Sequence, residues 1–442
     1  MIKIPEIAKV ILKTLNENGF EAYLVGGFVR DRVMGNETND IDVTTSAKPD
    51  EVIKLFSDYR VIETGLKHGT VTVMCNKIPV EITTYRTEST YSDNRHPDEV
   101  VFCEKLESDL SRRDFTVNSL AMDVNGEFVD LFGGLDDISN KIIRAIGNAE
   151  ERFNEDALRI LRALRFSSVL CFEIDKETSM AIHKCKDLIN NVAPERIAVE
   201  LRKTLCGKNI KKVLLEYSDV FTLVFPELIG TVGFMQHNFH HKYNVYEHTA
   251  TVVESVEAVD YLRLTALFHD CEKPSCFSLD ENGTGHFYSH ASKGAIKARE
   301  ALKRLKFDNE TVKKVELLVK QHDSPIEADE KIILRKLNRF GEDALRDLIK
   351  IKKADTLGLA DEFHCRIEEF DRLEKIIDDV ISKQKCFSFK DLDFDGNDAI
   401  AMGYKGAEIG CVLKNILEAV IDGEVENSKE CLVGYVKTNL RK

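Results

Sequence analysis

The chain has 442 residues, 43% of them hydrophobic, and a formal net charge of −14. That length exceeds one hydrophobic core, so several domains are expected; the acidic balance excludes a broadly basic nucleic-acid coat but leaves room for a local basic groove. The lack of an apolar run of about 18 residues excludes a membrane-spanning helix, and 11 cysteines without a CxxC pair point to reduced thiols in a cytoplasm.

Residues 1–20 read as an amphipathic helix with Ile4, Ile7, Ile11 and Leu15 inward, not as a signal peptide. Residues 21–25 are apolar enough for a buried strand, which Gly26-Gly27 breaks. Two adjacent glycines let the backbone approach an anion, and Arg30 adds a fixed charge one turn later. On the following strand Asp40 and Asp42 stand two apart and so share a face. Two such carboxylates repel unless a cation lies between them, and Mg²⁺ with a substrate phosphate fits the pair. The plain alternative is a tight turn beside a solvated strand end.

Residues 49–56 read as a helix opened by Pro49. Residues 70–74 and 80–84 read as a hairpin. Glu81 on its second strand is either a third carboxylate for a two-metal clamp or an edge-strand glutamate. The stretch 87–100 is polar and aperiodic, a long loop. In Ser111-Arg112-Arg113-Asp114-Phe115-Thr116-Val117-Asn118 the arginines suit a triphosphate, while Asp114 or Asn118 takes ribose hydroxyls or holds an arginine. From Asn154 the pattern turns helical. A helix over 154–168 places Asp156 and Arg159 one turn apart. Glu155, Arg162 and Arg165 share the polar side, so a salt-bridge ladder is one reading. The other is base selection. Cytosine and adenine each present an amino donor beside a ring-nitrogen acceptor. A carboxylate with a guanidinium matches both and opposes guanine and uracil.

A second constellation spans 245–357. His248, His269-Asp270, His290, His322 and Asp355 gather near the ends of apolar runs such as 262–268 and 315–319, which suggests a metal cluster. The basic stretch 331–353 is either an RNA-facing surface or a solvated face.

These motifs carry a resemblance. Gly26-Gly27-Phe-Val-Arg30-Asp, with Asp40-Ile-Asp42-Val-Thr-Thr, resembles the head of class II tRNA nucleotidyltransferases. These belong to the polymerase-β-like nucleotidyltransferase superfamily and are related to bacterial poly(A) polymerases. Arg112-Arg113-Asp114 resembles the family's second motif and Asp130-Leu-Phe-Gly133-Gly134 its third. Glu155-Asp156-Ala-Leu-Arg159, continued by Arg162 and Arg165, resembles its base-selecting motif, and Pro194-Glu195-Arg196 the next helical one. Asp395–Gly410 resembles the tail, where glycines mark tight turns. The histidine region resembles an HD-type phosphohydrolase domain, with Glu272 where glycine is common.

The resemblance implies an α+β protein. A polymerase-β-like head with a small mixed sheet (1–147) is followed by an all-α neck (148–215), an HD-type body (216–357) and a tail (358–442). It implies a cytoplasmic CCA-adding enzyme that uses CTP, ATP and Mg²⁺ to extend tRNA without a template, releasing pyrophosphate. Asp40, Asp42 and Glu81 would be catalytic. Gly26, Gly27, Arg30, Arg112, Arg113, Asp114, Asn118, Asp156, Arg159, Arg162 and Arg165 would bind nucleotide. His248, His269, Asp270, His290, His322 and Asp355 would bind Mn²⁺, Co²⁺, Ni²⁺ or Zn²⁺ and support accessory hydrolysis. The 87–100 loop, which CC-adding relatives lack, would serve the final A. Alternatives are a poly(A) polymerase, a CC- or A-adding partial enzyme, or an HD phosphohydrolase with an inactive head.

Overall fold

The computed structural model describes residues 4–75, 78–88, 100–238 and 242–440. The chain divides into two compact units, Met1–Pro226 and Glu227–Lys442.

The first unit opens with α1 (Glu6–Glu17), which buries Ala8, Ile11, Leu12 and Leu15. Next come β1 (Ala22–Val25), α2 (Gly27–Val33), β2 (Ile41–Thr45), α3 (Pro49–Leu55), β3 (Arg60–Ile62), β4 (Thr70–Cys75) and β5 (Ile78–Thr84). After β6 (Arg86–Glu88), β7 (Val100–Phe102) and α4 (Leu106–Ser111), β8 (Leu120–Met122) and β9 (Phe128–Asp130) complete a sheet of order β3-β4-β5-β2-β1-β8-β9. The sheet is mixed: β1 runs antiparallel to β2, and β2 parallel to β5. In that parallel register Asp42 pairs with Glu81. Because β4 flanks the other side of β5, Glu81 is not on an edge strand; the edge-strand reading is wrong. Most of the 87–100 loop lies outside the described residues, but β6 and β7 at its ends pair antiparallel.

The helical half holds α5 (Gly134–Asn140), β10 (Ile142–Ile143), α6 (Ala149–Glu155), α7 (Leu158–Leu170), β11 (Glu173–Ile174), α8 (Lys176–Cys185), α9 (Pro194–Leu205), α10 (Ile210–Glu216) and α11 (Ser218–Val224). Gly133 has φ +75°, and a Cβ on Gly134 would stand 2.4 Å from the Thr116 carbonyl oxygen. The glycine pair is thus required by backbone approach, not only by a turn. Two expectations change here. The segment is not purely helical, since β10 and β11 pair in parallel. The helix expected over 154–168 is two helices. Asp156 stands between them in extended backbone, with its Oδ1 accepting from the Leu158 amide at 3.0 Å. A short side-chain acceptor competes with the helical ladder and stops α6.

The second unit holds α12 (Val245–Ser255), α13 (Asp260–Phe268), the hairpin β12 (Ser278–Leu279) and β13 (Gly285–His286), α14 (His290–Arg304), α15 (Asn309–Gln321), α16 (Glu330–Phe340), α17 (Glu342–Leu357), α18 (Ile367–Ser382), α19 (Gly396–Ala401), α20 (Ala407–Asp422) and α21 (Lys429–Asn439). One core joins Ile333, Leu337 and Ile349 to Phe370, Ile416 and Val436, so apolar packing is continuous across position 357. Gly403 and Gly406 take positive φ between α19 and α20, as the tail motif suggested, whereas Gly410 lies inside α20. Much of the basic 331–353 stretch is engaged in ion pairs: Arg335 with Asp422, Arg346 with Glu342 and Asp378, Lys353 with Asp371 and Glu374. The solvated-face reading accounts for those residues. Among the described residues no helix is long and apolar enough to cross a membrane.

Candidate functional site

A cavity of about 760 Å³ in the first unit is lined by Gly26, Gly27, Arg30, Asp40, Asp42, Glu81, Arg112, Arg113, Asp114, Asn118, Asp156, Arg159, Arg162 and Arg165. Every residue expected in the catalytic and nucleotide-binding sets is therefore in one place. Strand β2 supplies Asp42, β5 supplies Glu81, and the turn before α2 brings the backbone to them. Gly26 sits at φ +70°, and a Cβ there would lie 3.4 Å from both Arg113 Nη1 and Asp42 Oδ2. Burial, then Asp40 and Glu81, push the Asp42 carboxyl up to about 7, with Arg113 pulling the other way. Acceptor-only carboxylates crowded to that degree suit a hard cation with oxygen ligands. They stand looser than a preformed cage, which fits Mg²⁺ completed by substrate phosphate.

The arginines are held from behind. Asp109 on α4 is fully buried and bonds Arg112 at 2.8 Å and Arg113 at 3.1 Å. It also accepts from the Thr44 hydroxyl of β2 at 3.1 Å, tying the arginines to the strand that carries Asp42. The spacing of Asp109 three and four residues before the arginines is the signal that would have revealed it. Asp114 holds an arginine, the second of the two roles open to it: one oxygen accepts from the Phe115 amide and Asn118, the other from Arg162 at 2.7 Å. Asn118 in turn accepts from Arg30 at 2.8 Å. Burial opposes the Asp114 charge, but Arg162, Asn118 and Arg159 outweigh it and hold the carboxyl down at about 2. A depressed carboxyl stabilises the fold fully above its unfolded value near 4 and loses that contribution as pH falls toward 2. We expect roughly 2 kcal/mol of unfolding free energy to disappear between pH 4 and 2. Denaturant titrations of wild type and Asp114→Asn across that range check this, because the variant should lack that slope.

The base-reading pair is organised differently from a single helix face. Asp156 accepts at Oδ2 from Arg196 of α9 at 3.0 Å. Arg159 is buried and donates to Glu155 at 2.6 Å and to the Arg112 carbonyl at 2.8 Å. Arg196, Lys203 and Phe166 also line the cavity. Arg196 belongs to a motif noted above, but nothing in its local spacing indicates that it reaches Asp156.

In the second unit the expected cluster is assembled. His248, His269 and Asp270 form one triad and Asp270, His290 and His322 another; among the described residues these bring three ligand atoms within 4.8 Å of one another. The Asp355 carboxylate lies 3.0 Å from His248 Nε2. All four imidazoles place Nδ1 against a backbone carbonyl: Gly358 at 3.1 Å, and Ala266, Phe287 and Val319 each at 2.7 Å. A carbonyl only accepts, so each Nδ1 carries the proton and each Nε2 turns inward. His248 meets His269, and His290 meets His322, at Nε2–Nε2 distances of 3.2 Å. Two lone pairs at that distance repel unless a proton or metal stands between them. Asp270 faces one pair with Oδ2 and the other with Oδ1, while Lys273 lies 2.7 Å from Oδ2. Glu272 is turned away and bonds the Ser275 hydroxyl. His286 stays outside the cluster, paired with Asp280 at 3.1 Å.

Three family models match: "Poly A polymerase head domain" over residues 22–144, an RNA- and SrmB-binding site of polymerase A over 171–230, and tRNA nucleotidyltransferase domain 2 over 287–436. No HD domain is identified. The chain is 34% identical over 432 residues to a CCA-adding enzyme of Levilactobacillus brevis, covering 98% of this chain and 97% of that one. A CCA-adding enzyme of Ligilactobacillus salivarius is 52% identical over 209 residues, and that match spans 47% of this chain and about half, 51%, of the relative. The Bacillus stearothermophilus CCA-adding enzyme, solved with CTP, superposes with a TM-score of 0.76 at 28% identity over 99% of this chain and 97% of that one. The Thermotoga maritima CCA-adding enzyme, at 20% identity and a TM-score of 0.61 over 99% of this chain and 96% of that one, shares the fold. A mixed-sheet head carrying the paired aspartates, mostly helical segments after it, and a relative matched from end to end together make this chain a nucleotidyltransferase of the CCA-adding enzyme family.

Proposed function

We propose that this protein adds C, C and A to the 3′ end of tRNA from CTP and ATP without a nucleic-acid template. The observation that carries the reading is the single cavity in which Asp40, Asp42 and Glu81 face a set of guanidiniums with Asp156 and Arg159 at the same wall. The tRNA 3′-oxygen forms a bond to the α-phosphorus of the nucleotide while pyrophosphate leaves. Arg30 and Arg113, beside the glycine turn, hold the triphosphate. Mg²⁺ held by Asp40 and Asp42, with Glu81 beside them, supplies neutralisation of the triphosphate and acidification of the attacking hydroxyl. Asp156 and Arg159 select cytosine and adenine together through the hydrogen-bond match described above. This assigns 1–147 to catalysis, 148–215 to nucleotide selection and RNA binding, the helical body (216–357) to the histidine metal centre, and the tail (358–442) to tRNA. The 11 cysteines are all unpaired, in keeping with a cytoplasmic setting.

Incubating the protein with tRNAs ending before, within and after CC, under each nucleotide separately, tests the reading. Extension of each end by the next correct nucleotide is expected; addition of A alone to any end would favour a poly(A) polymerase. Asp156→Ala and Arg159→Ala are expected to relax nucleotide choice by roughly 1–3 kcal/mol, about 5- to 150-fold. Competition among all four triphosphates measures it, and unchanged selectivity in both variants would return this wall to an ion-pair role.

A second reading concerns the histidine centre. Four inward Nε2 atoms around a shared carboxylate support binding of Mn²⁺, Co²⁺, Ni²⁺ or Zn²⁺. We propose that the centre holds such metal and hydrolyses phosphate esters as an accessory activity.

A further inference from the structure

Phe166 is the aromatic member of an otherwise largely charged cavity wall. Its ring lies 4.3 Å from the guanidinium carbon of Arg165, 5.2 Å from that of Arg30 and 5.5 Å from that of Arg162. Ile160, Leu161 and Leu164 of α7 are buried in the core, and Val169 is exposed. Phe166, though mostly buried, lines the cavity beside Leu158, and its ring packs edge-to-face on the fully buried Phe115 at 5.7 Å.

Three like charges around one ring repel one another. Each is also drawn toward its own carboxylate: Arg30 by Asp31 at 2.8 Å, Arg162 by Asp114 at 2.5 Å and Arg165 by Glu200 at 3.1 Å. Those partners are three different groups on different segments. The ring is common to all three guanidiniums, and its negative face attracts each of them. Burial lowers the Arg165 pKa, and the neighbouring Arg162 and Arg30 lower it further, a measure of the crowding.

We propose that Phe166 is a positioning residue for nucleotide binding, its π face gathering Arg30, Arg162 and Arg165 at the spacing that receives the nucleotide. The inference rests on the nucleotidyl-transfer reading of this cavity. Without the ring's electrostatic pull the three guanidiniums stay tied to their separate carboxylates but lose the one group that holds them at a common spacing. Nucleotide affinity then falls, while turnover of bound nucleotide, set around Asp42, changes little.

Fluorinating the ring tests this without changing its shape, because each fluorine weakens the negative face. Phenylalanine at 166 is replaced in the full chain by its mono-, di- and trifluorinated analogues. Dissociation constants for CTP and ATP are measured by calorimetry with Mg²⁺, beside kcat and melting temperature. The expected result is a stepwise loss of affinity reaching roughly tenfold across the series, with kcat within about twofold and the melting temperature unchanged. A flat series overturns the proposal. So does a melting temperature that falls in step with affinity and kcat, which would make Phe166 a packing residue. If the unmodified protein binds neither CTP nor ATP, the transferase reading fails as well, and that outcome appears before any fluorine is introduced.

Discussion

Asp42→Ala and Asp40→Ala should each reduce CMP and AMP incorporation by on the order of a thousandfold or more, with tRNA binding retained. Asp42 stands on β2 and Asp40 immediately before it, beside the turn proposed to bring the backbone to the anion, and Glu81 alone would supply too few oxygen ligands to replace either. Radiolabelled nucleotide incorporation checks the first half and a tRNA gel shift the second. Near-normal turnover in either purified variant would falsify the metal role. The same site predicts an opposite effect on stability. The Asp42 carboxyl is pushed up to about 7 by burial and by Asp40 and Glu81, so without divalent cation its charged form costs folding energy. That cost appears as pH rises from about 4 through 7 and is absent below. Asp42→Asn is therefore expected to melt above the wild type at pH 8 in chelator, with the gap closing at acid pH.

His269→Ala should empty the His248–His269 site of transition metal, and Asp270→Asn should weaken both sites. Wild type reloaded with Mn²⁺, Co²⁺, Ni²⁺ or Zn²⁺ should retain one or two equivalents after desalting, since Asp270 offers one oxygen to each histidine pair. Both variants should retain close to none at the first pair, and phosphodiesterase turnover should disappear with the metal. Asparagine is preferred to alanine at 270, because its amide oxygen can still accept from the buried Lys273, whereas alanine would leave no acceptor at that position. Elemental analysis with a phosphodiester assay decides the matter. A wild type that takes up none of these metals would sink the centre while leaving nucleotide transfer untouched.

How much was readable beforehand depends on how local each signal is. Asp40 and Asp42 are two residues apart and line one cavity, although β2 begins at Ile41 and leaves Asp40 just before the strand on which it was expected. His269-Asp270 and His322 follow apolar runs that end where α13 and α15 end, so their placement came from helix periodicity. Asp156 misled because a helical pattern continues on both sides of it. Its side chain takes the Leu158 amide, and periodicity carries no trace of that competition. Glu81 was ambiguous because strand order was unknown; the β2–β5 pairing decides it. The Asp156–Arg196 pair spans 40 residues and Arg30–Asn118 spans 88. Such pairs arise only from tertiary packing.

The bond from Arg159 to the Arg112 carbonyl has a bearing on fidelity. If Arg159 meets the base edge as proposed, it does so while bonded to Arg112, the chain neighbour of Arg113 beside the glycine turn. A base of the wrong pattern that pushes Arg159 aside therefore strains the backbone that holds the phosphate clamp. On that proposed reading a mismatch would be felt at the leaving group as well as at the base edge. Errors would then be rejected as slow reaction and not only as weak binding, which is what the proposed template-free choice would need.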